Sequence, residues 1–380
     1  MEGITCSGWQ EIYGQERAIS FLREGLRRGD TPHALLFSGP RGVGKFSTAL
    51  LFAAAALCPQ GEPDGCASCR KVAAGVHPDL HVLEPEGLSI RVEQVRRLEA
   101  ELSGKAVEST SKAVIVDEAD AMTREAANAF LKTLEEPSPH TYIVLVCESK
   151  ENLLATVVSR CREIRFTALG RRDLERFLVE REGLREEEAR RMARRSGGVF
   201  GRALLWARRP ELASHWRRGV ELAASLRRLS LLEALEVVEE CRGDWQKMEA
   251  GAGEEELEAY FRALDKRAAE LLRKRWENRK AQETRKARRR AAHDLLDGMA
   301  SFYRDIMLLN LVEEEGEEIA DGNLFNPERR KELEREALHV GAERARACLG
   351  ILHEVGKALE ANVDEKLLLH GLVLQLRKAT

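Results

Sequence analysis

The 380-residue sequence predicts an α/β domain built on a parallel sheet, followed by a long all-helical region. Three observations predict it. A short apolar run, Ala34 to Phe37, breaks into a glycine loop and then into the apolar helical stretch Phe46 to Leu57. Two further apolar runs, within Lys112–Val116 and Tyr142–Val146, alternate with amphipathic helices, which demands crossover helices on both faces of a parallel sheet. Beyond about Leu169 the strand signal disappears, and from residue 210 onward Ala, Leu, Glu and Arg dominate, with only Pro210 and Pro327 among the prolines.

Composition sets outer limits. Hydrophobic residues at 43%, charged residues at 33% and a net charge of −3 describe a globular chain with room for two or three domains. No apolar run reaches the ~18–20 residues of a membrane span, and the N-terminus lacks the charged-then-apolar order of a signal peptide, so a cytoplasmic location with no membrane contact is expected. Eight cysteines, three of them clustered, favour reduced thiols and a metal over a disulfide framework.

Taken in order, residues 9–29 place Ile19, Phe21, Leu22 and Leu26 at helical spacing after a break at Gly14. The strand at Ala34 then runs into Ser38-Gly39-Pro40-Arg41-Gly42-Val43-Gly44-Lys45. Gly39, Pro40, Gly42 and Gly44 allow the backbone N–H groups to turn inward beside a helix N-terminus, and Lys45 can reach the outer phosphates of ATP or ADP. The next position, where a Ser or Thr hydroxyl would meet Mg²⁺, is Phe46; Ser47 lies ~100° further round the helix. The loop is therefore suited to phosphate and poorly suited to phosphate-bound magnesium.

Cys58, Cys66 and Cys69 follow in a loop rich in Pro, Gly and Asp, with thiols able to hold Zn²⁺. A structural zinc site wants four ligands, and Asp64, His77 and His81 are all open as the fourth, as is a knuckle held by packing without metal. Arg91 to Leu102 reads as a surface helix. The run ending at Asp117-Glu118 puts one carboxylate where it could hold Mg²⁺ through water and another where it could polarise an attacking water; the same acids are also an ordinary turn and helix cap. Ala126 to Leu134 is an amphipathic helix, Tyr142 to Val146 a buried strand, and a last strand, Glu163 to Phe166, closes the sheet. Two or three short helices follow to about Arg209. Residues 262–290 hold thirteen Lys or Arg against four Asp or Glu. Such a run suits nucleic acid phosphates or a solvated helix packed through Leu264, Leu271, Leu272 and Trp276. Glu313 to Glu318 is expected to be an acidic loop.

The segments WQEIYGQERAISFLREGLRRGDTPHALLFSGPRGVGK, CASCRKVAAGVHPDLHVLEP, VIVDEADAMTREAANAFLKTLEEPSPHTYIVLV and SRCREIRF together resemble the clamp-loader branch of the AAA+ ATPases, and within it the delta-prime group of bacterial DNA polymerase III. The resemblance is specific over residues 9–210 and looser through SFYRDIMLLN and ANVDEKLLLHGLVLQL. It implies three parts: a RecA-like AAA+ domain over 1–166 with a zinc-module-like insertion at 58–69, a small helical lid over 167–209 and an all-α collar over 210–380. It also implies a hetero-oligomeric ring of five with delta and tau/gamma subunits, acting on a sliding clamp and primer-template DNA in replication. In such a ring the Ser-Arg-Cys arginine, here Arg160, reaches a neighbour's ATP, and Arg202 matches a nucleotide-sensing lid position that could equally be an ordinary surface arginine.

Against the active-ATPase pattern stand Phe46, the Cys147-Glu148-Ser149 segment in place of a sensor threonine, Ala155 where proline is common, and the missing cysteine. They imply a stator with weak or no hydrolysis of its own, Glu118 being vestigial. The alternative is a competent motor of the tau/gamma kind; a third reading is a DNA-binding AAA+ protein outside replication that uses the basic stretch.

Overall fold

The computed structural model describes residues 5–87, 89–247, 262, 266–311, 323–360 and 364–380. Their contacts divide them into two compact units, one drawn from 1–174, 198–203 and 251–280 and the other from 175–197, 204–250 and 281–380. The lid segment expected at 167–209 is thus shared between the two.

The first unit is organised by a five-stranded parallel sheet of β1 (Ala34–Ser38), β2 (Leu80–Leu83), β3 (Lys112–Val116), β4 (Thr141–Cys147) and β5 (Arg162–Arg165). The order is β2-β3-β4-β1-β5, which places β1 inside the sheet, in register with Ile143–Cys147 on one side and Arg162–Arg165 on the other. β1 and β3 are buried at every position because helices cover both faces. Leu35 and Phe37 face α1 (Glu16–Arg28), α2 (Lys45–Leu57) and α3 (Ala67–Ala74). Ala34 and Leu36 face α4 (Val92–Leu102), α5 (Arg124–Glu135) and the short α6 (Ala155–Val158).

The expected strands and crossovers are present, with three differences. β2, built from only Leu80-His81-Val82-Leu83, has too short an apolar run to separate from a loop, and pairing with β3 makes it a strand. α3 lies hidden in the cysteine-rich stretch. Phe21 is 39% exposed while Leu22 is fully buried, so Phe21 falls outside the buried face of α1; Arg162 covers its ring, with 5.9 Å from guanidinium to centroid.

α7 (Arg171–Glu180), α8 (Glu186–Arg195) and α9 (Phe200–Arg208) bear out the short helices expected after the sheet. The second unit continues with α10 (Ala213–Ser225), α11 (Leu231–Gln246), the later part of α12 (Lys266–Leu311), α13 (Arg330–Glu360) and α14 (Glu365–Ala379). Gly341, at φ 65°, puts a kink in α13. Trp216, Leu295, Phe302, Leu352 and Leu372 belong to one apolar cluster here. Two glycines allow α10 and α12 to meet backbone to backbone. A Cβ on Gly219 would lie 2.0 Å from the Leu295 carbonyl oxygen, and one on Gly298 2.1 Å from that of Trp216. The acidic stretch 313–318 and the side chains of Leu264, Leu271 and Leu272 lie outside what is described; Arg288 of the basic stretch donates to the Gln246 carbonyl at 2.6 Å. No helix among the described residues is long and apolar enough to cross a membrane.

Candidate functional site

The glycine loop that the sequence suits to phosphate sits at the C-terminal end of β1. Gly39 has φ 147° and a Cβ there would meet the Phe166 carbonyl oxygen at 2.3 Å; Gly42 has φ 73° and a Cβ there would meet Val199 at 2.3 Å. Both positions therefore need glycine for conformation and for space. The buried Gln15 anchors the loop: its Nε2 donates to the Thr167 carbonyl at 2.8 Å and to that of Val43 at 3.3 Å. Sequence reading passed over Gln15, because one glutamine at a helix start carries no signal of its own.

Several groups of the loop are engaged by their own surroundings. The Gly39 N–H donates to the Glu148 carbonyl at 3.1 Å, and Arg41 forms an ion pair with the Glu148 carboxylate. Lys45, only 7% exposed, turns back so that Nζ donates to the Gly39 carbonyl at 2.5 Å and the Pro40 carbonyl at 2.6 Å. Burial holds its ammonium below the usual lysine range, although Glu148, Cys147, Asp117 and Asp120 all pull the other way. The start of α9 closes the other side: Gly201 N–H donates to the Gly42 carbonyl at 2.9 Å, and Phe200 stacks on Tyr13 with centroids 6.2 Å apart. Arg202, half-buried, follows directly and so lies within a residue of this contact.

Phe46 packs its ring against the apolar cluster beneath the sheet, and Ser47 is half-exposed. The nearby hydroxyl of Thr48 donates to the Gly44 carbonyl at 2.8 Å as part of the helix. Asp117 and Glu118 stand beyond the end of β3, where the Glu118 N–H donates to the Asp117 carboxylate at 3.1 Å and Glu118 has φ 49°. The lysine and the carboxylates thus gather at the C-terminal edge of the sheet. The chain fits a phosphate group there better than a phosphate-bound Mg²⁺, because an aromatic ring occupies the hydroxyl's place in the sequence.

Arg160 is elsewhere. It leaves the end of α6 two residues before β5, and Leu35 of β1 pairs with Arg162. Parallel strands put this position at the N-terminal edge of the sheet, whereas the phosphate loop begins after Ser38 at the other end. Four residues of β1 at ~3.3 Å each set ~13 Å between the two levels. There Arg160 Nε donates to Glu135 Oε1 at 2.7 Å, with Nη2 on the same oxygen and Nη1 on the Thr156 carbonyl at 2.9 Å. Sequence reading found the arginine and missed Glu135, since a contact 25 residues away is set by the fold.

The cysteine trio gathers between the end of α2 and the start of α3. Cys58 and Cys66 sulfurs are 3.7 Å apart, and those of Cys66 and Cys69 are 3.6 Å apart. Thiolates ~2.3 Å from one Zn²⁺ at tetrahedral angles lie ~3.8 Å apart, so the sulfurs suit such an ion. Neither histidine joins them. His77 accepts the Asp79 N–H at 3.1 Å, and His81 pairs with Glu101 at 2.8 Å.

Residues 14–170 match the family described as "DNA polymerase III, delta subunit". The chain is 39% identical over 178 residues to the DNA polymerase III subunit delta' of Bacillus subtilis, covering 46% of this chain and 54% of that one. It is 43% identical over 157 residues to the delta' subunit of Pseudomonas aeruginosa, covering 40% and 47%. It thus spans about half the length of the curated relatives it matches. A solved structure, the DNA polymerase III gamma subunit-related protein of Thermotoga maritima, aligns over 94% of this chain and 98% of its own at 18% identity and a TM-score of 0.42.

Proposed function

We propose, from the match of residues 14–170 to the family described as "DNA polymerase III, delta subunit", that the chain is a delta-prime-type clamp-loader subunit, a stator that offers Arg160 to the ATP of a neighbouring subunit. The observation that carries this is the position of Arg160 at the end of the sheet remote from the chain's own phosphate loop. Under this reading it acts outward, across an interface, where a guanidinium meeting charge on a γ-phosphate makes hydrolysis depend on assembly. Glu135 holds that guanidinium at the surface meanwhile. The chain's own loop supports the same reading: Lys45 is spent on backbone carbonyls and Phe46 on apolar packing, so the cradle serves as scaffold, with ATP or ADP held weakly and Glu118 idle.

Partners under this reading are delta and tau/gamma subunits in a five-membered ring joined through the helical unit, with the sliding clamp and primer-template DNA met through the complex. The test is Arg160→Ala in the reconstituted loader. Assembly by gel filtration is expected to be intact, and ATP hydrolysis by the complex to fall ~10³-fold, the scale of other arginine fingers. Unchanged hydrolysis refutes the role. Asp117 and Glu118, still in place after β3, favour a competing reading as a motor; substantial ATP turnover by the chain alone, lost in Lys45→Ala, would replace the stator with it.

A further inference from the structure

We propose that Asp64 completes the cysteine trio as its fourth ligand, making a three-thiolate, one-carboxylate site for Zn²⁺. The inference rests on reading the trio as a metal site. The Asp64 Oδ1 atom lies 3.6 Å from the Cys58 sulfur and 3.4 Å from that of Cys69, and all four donor atoms fall within 4.8 Å of one another. A carboxylate oxygen and a thiolate sulfur on one tetrahedral Zn²⁺ are ~3.5 Å apart. The two thiol–thiol and two thiol–carboxylate separations, 3.4–3.7 Å, are thus those of neighbouring ligands on one tetrahedral ion.

The ordinary alternative is that Asp64 only shapes the turn into α3, since the same Oδ1 accepts the Cys66 N–H at 3.0 Å. That oxygen also accepts from the Cys58 and Cys69 thiols, so the protons that hold it among the sulfurs are the ones a metal would displace. Once the thiols ionise, four negative donors converge, and a divalent cation is what offsets their repulsion. Binding is balanced as Zn²⁺ replacing three thiol protons, which leave to solvent, and it takes the already ionised carboxylate directly; the site then carries a net charge of −2. The Cys66 N–H remains on Oδ1 as an outer partner that fixes the carboxylate's orientation.

The site also has something to hold. The loop it closes carries Glu62, whose carboxylate accepts the indole N–H of Trp9 at 2.7 Å and Nε of Arg23 at 2.9 Å. Gly65 N–H donates to the Cys6 carbonyl at 3.0 Å. Metal at this position would fasten the N-terminal segment and α1 to the rest of the sheet unit.

The experiment is titration of the reduced full chain with Co²⁺ alone, followed by Zn²⁺ competition, in the wild type and in Asp64→Asn, Asp64→Cys and Cys69→Ser. The wild type should take one Co²⁺ with thiolate charge-transfer bands, and Cys69→Ser should lose it. Asp64→Asn should weaken Zn²⁺ by more than the ~10–100-fold cost of losing a mere outer partner. Asp64→Cys should bind at least as tightly as wild type with charge-transfer intensity raised from three thiolates to four, which excludes misfolding as the cause of the asparagine effect. If Asp64→Asn and Asp64→Cys both match the wild type in affinity and spectrum while Cys69→Ser fails, the trio stands and the role of Asp64 is overturned. If the wild type binds neither ion, both are overturned, while the arginine test above is untouched.

Discussion

Replacing Lys45 by Met separates a working phosphate lysine from a structural one. In this structure Nζ is committed to two backbone carbonyls, those of Gly39 and Pro40, at 2.5 and 2.6 Å. Hydrogen bonds from a charged group contribute ~1.5–3 kcal/mol each. Two deductions apply: Pro40 is exposed, so water can take over at its carbonyl, and the methionine no longer bears the cost of burying an ammonium. The net loss expected is therefore ~1–2 kcal/mol of stability. Urea denaturation at neutral pH reads it as a lower midpoint at constant slope. Under the stator reading, ATP hydrolysis by the reconstituted loader should be nearly unchanged. A pH series adds a sign. The folded pKa of Lys45 lies below the ordinary 10.5, so the burial cost is present at pH below the folded value and disappears as pH rises toward 10.5. Wild-type stability should gain across that window relative to the Met variant. A variant as stable as wild type whose loader no longer hydrolyses ATP would refute the reasoning and return Lys45 to phosphate.

Further outcomes test the scaffold around the site. Asp79 is 1% exposed and accepts the N–H groups of Val107, Glu108 and Ser109 at 2.6–2.8 Å; Asp79→Ala should cost roughly 2–4 kcal/mol in urea unfolding by stranding those donors. Gly219→Val forces α10 away from the Leu295 carbonyl and should cost ~1–3 kcal/mol or more, with Gly298→Val behaving alike in thermal unfolding. In the helical unit, burial lowers the His215 pKa, with Arg218 adding to it and Asp244 opposing, and His215 Nδ1 accepts the Trp245 indole N–H at 3.1 Å. Since the folded value lies below 6.5, stability should fall as pH drops from 7.5 through that range, and His215→Asn should flatten the urea midpoint between pH 7.5 and 5.5.

Much of the site was legible in the sequence because its signals are local. The spacing from Gly39 to Lys45 is the geometry of the loop, since the backbone of these seven residues builds it. Arg160 was singled out by its Ser-Arg-Cys setting, and Phe46 by the hydroxyl position it occupies. β2 was missed because four apolar residues beside a histidine have no periodicity to show, and Phe21 was placed on the wrong side of α1 because an apolar residue one step off a stripe reads the same as one on it.

The sequence by itself determined the alternation of strands and helices, the helical nature of the second half, the glycine loop and the clustering of three thiols, all of which depend on residues within a few positions of one another. Only the tertiary structure decided which residues 20 or more positions apart meet: Arg160 with Glu135, Gly201 with Gly42, Gln15 with Thr167. It also brought Asp64, and not His77 or His81, beside the three sulfurs, which spacing could not show; both histidines are engaged elsewhere. The physical reason is common to all of these. Strand order and parallel direction fix which chain ends share an edge of the sheet, and that choice depends on burial summed over the whole unit.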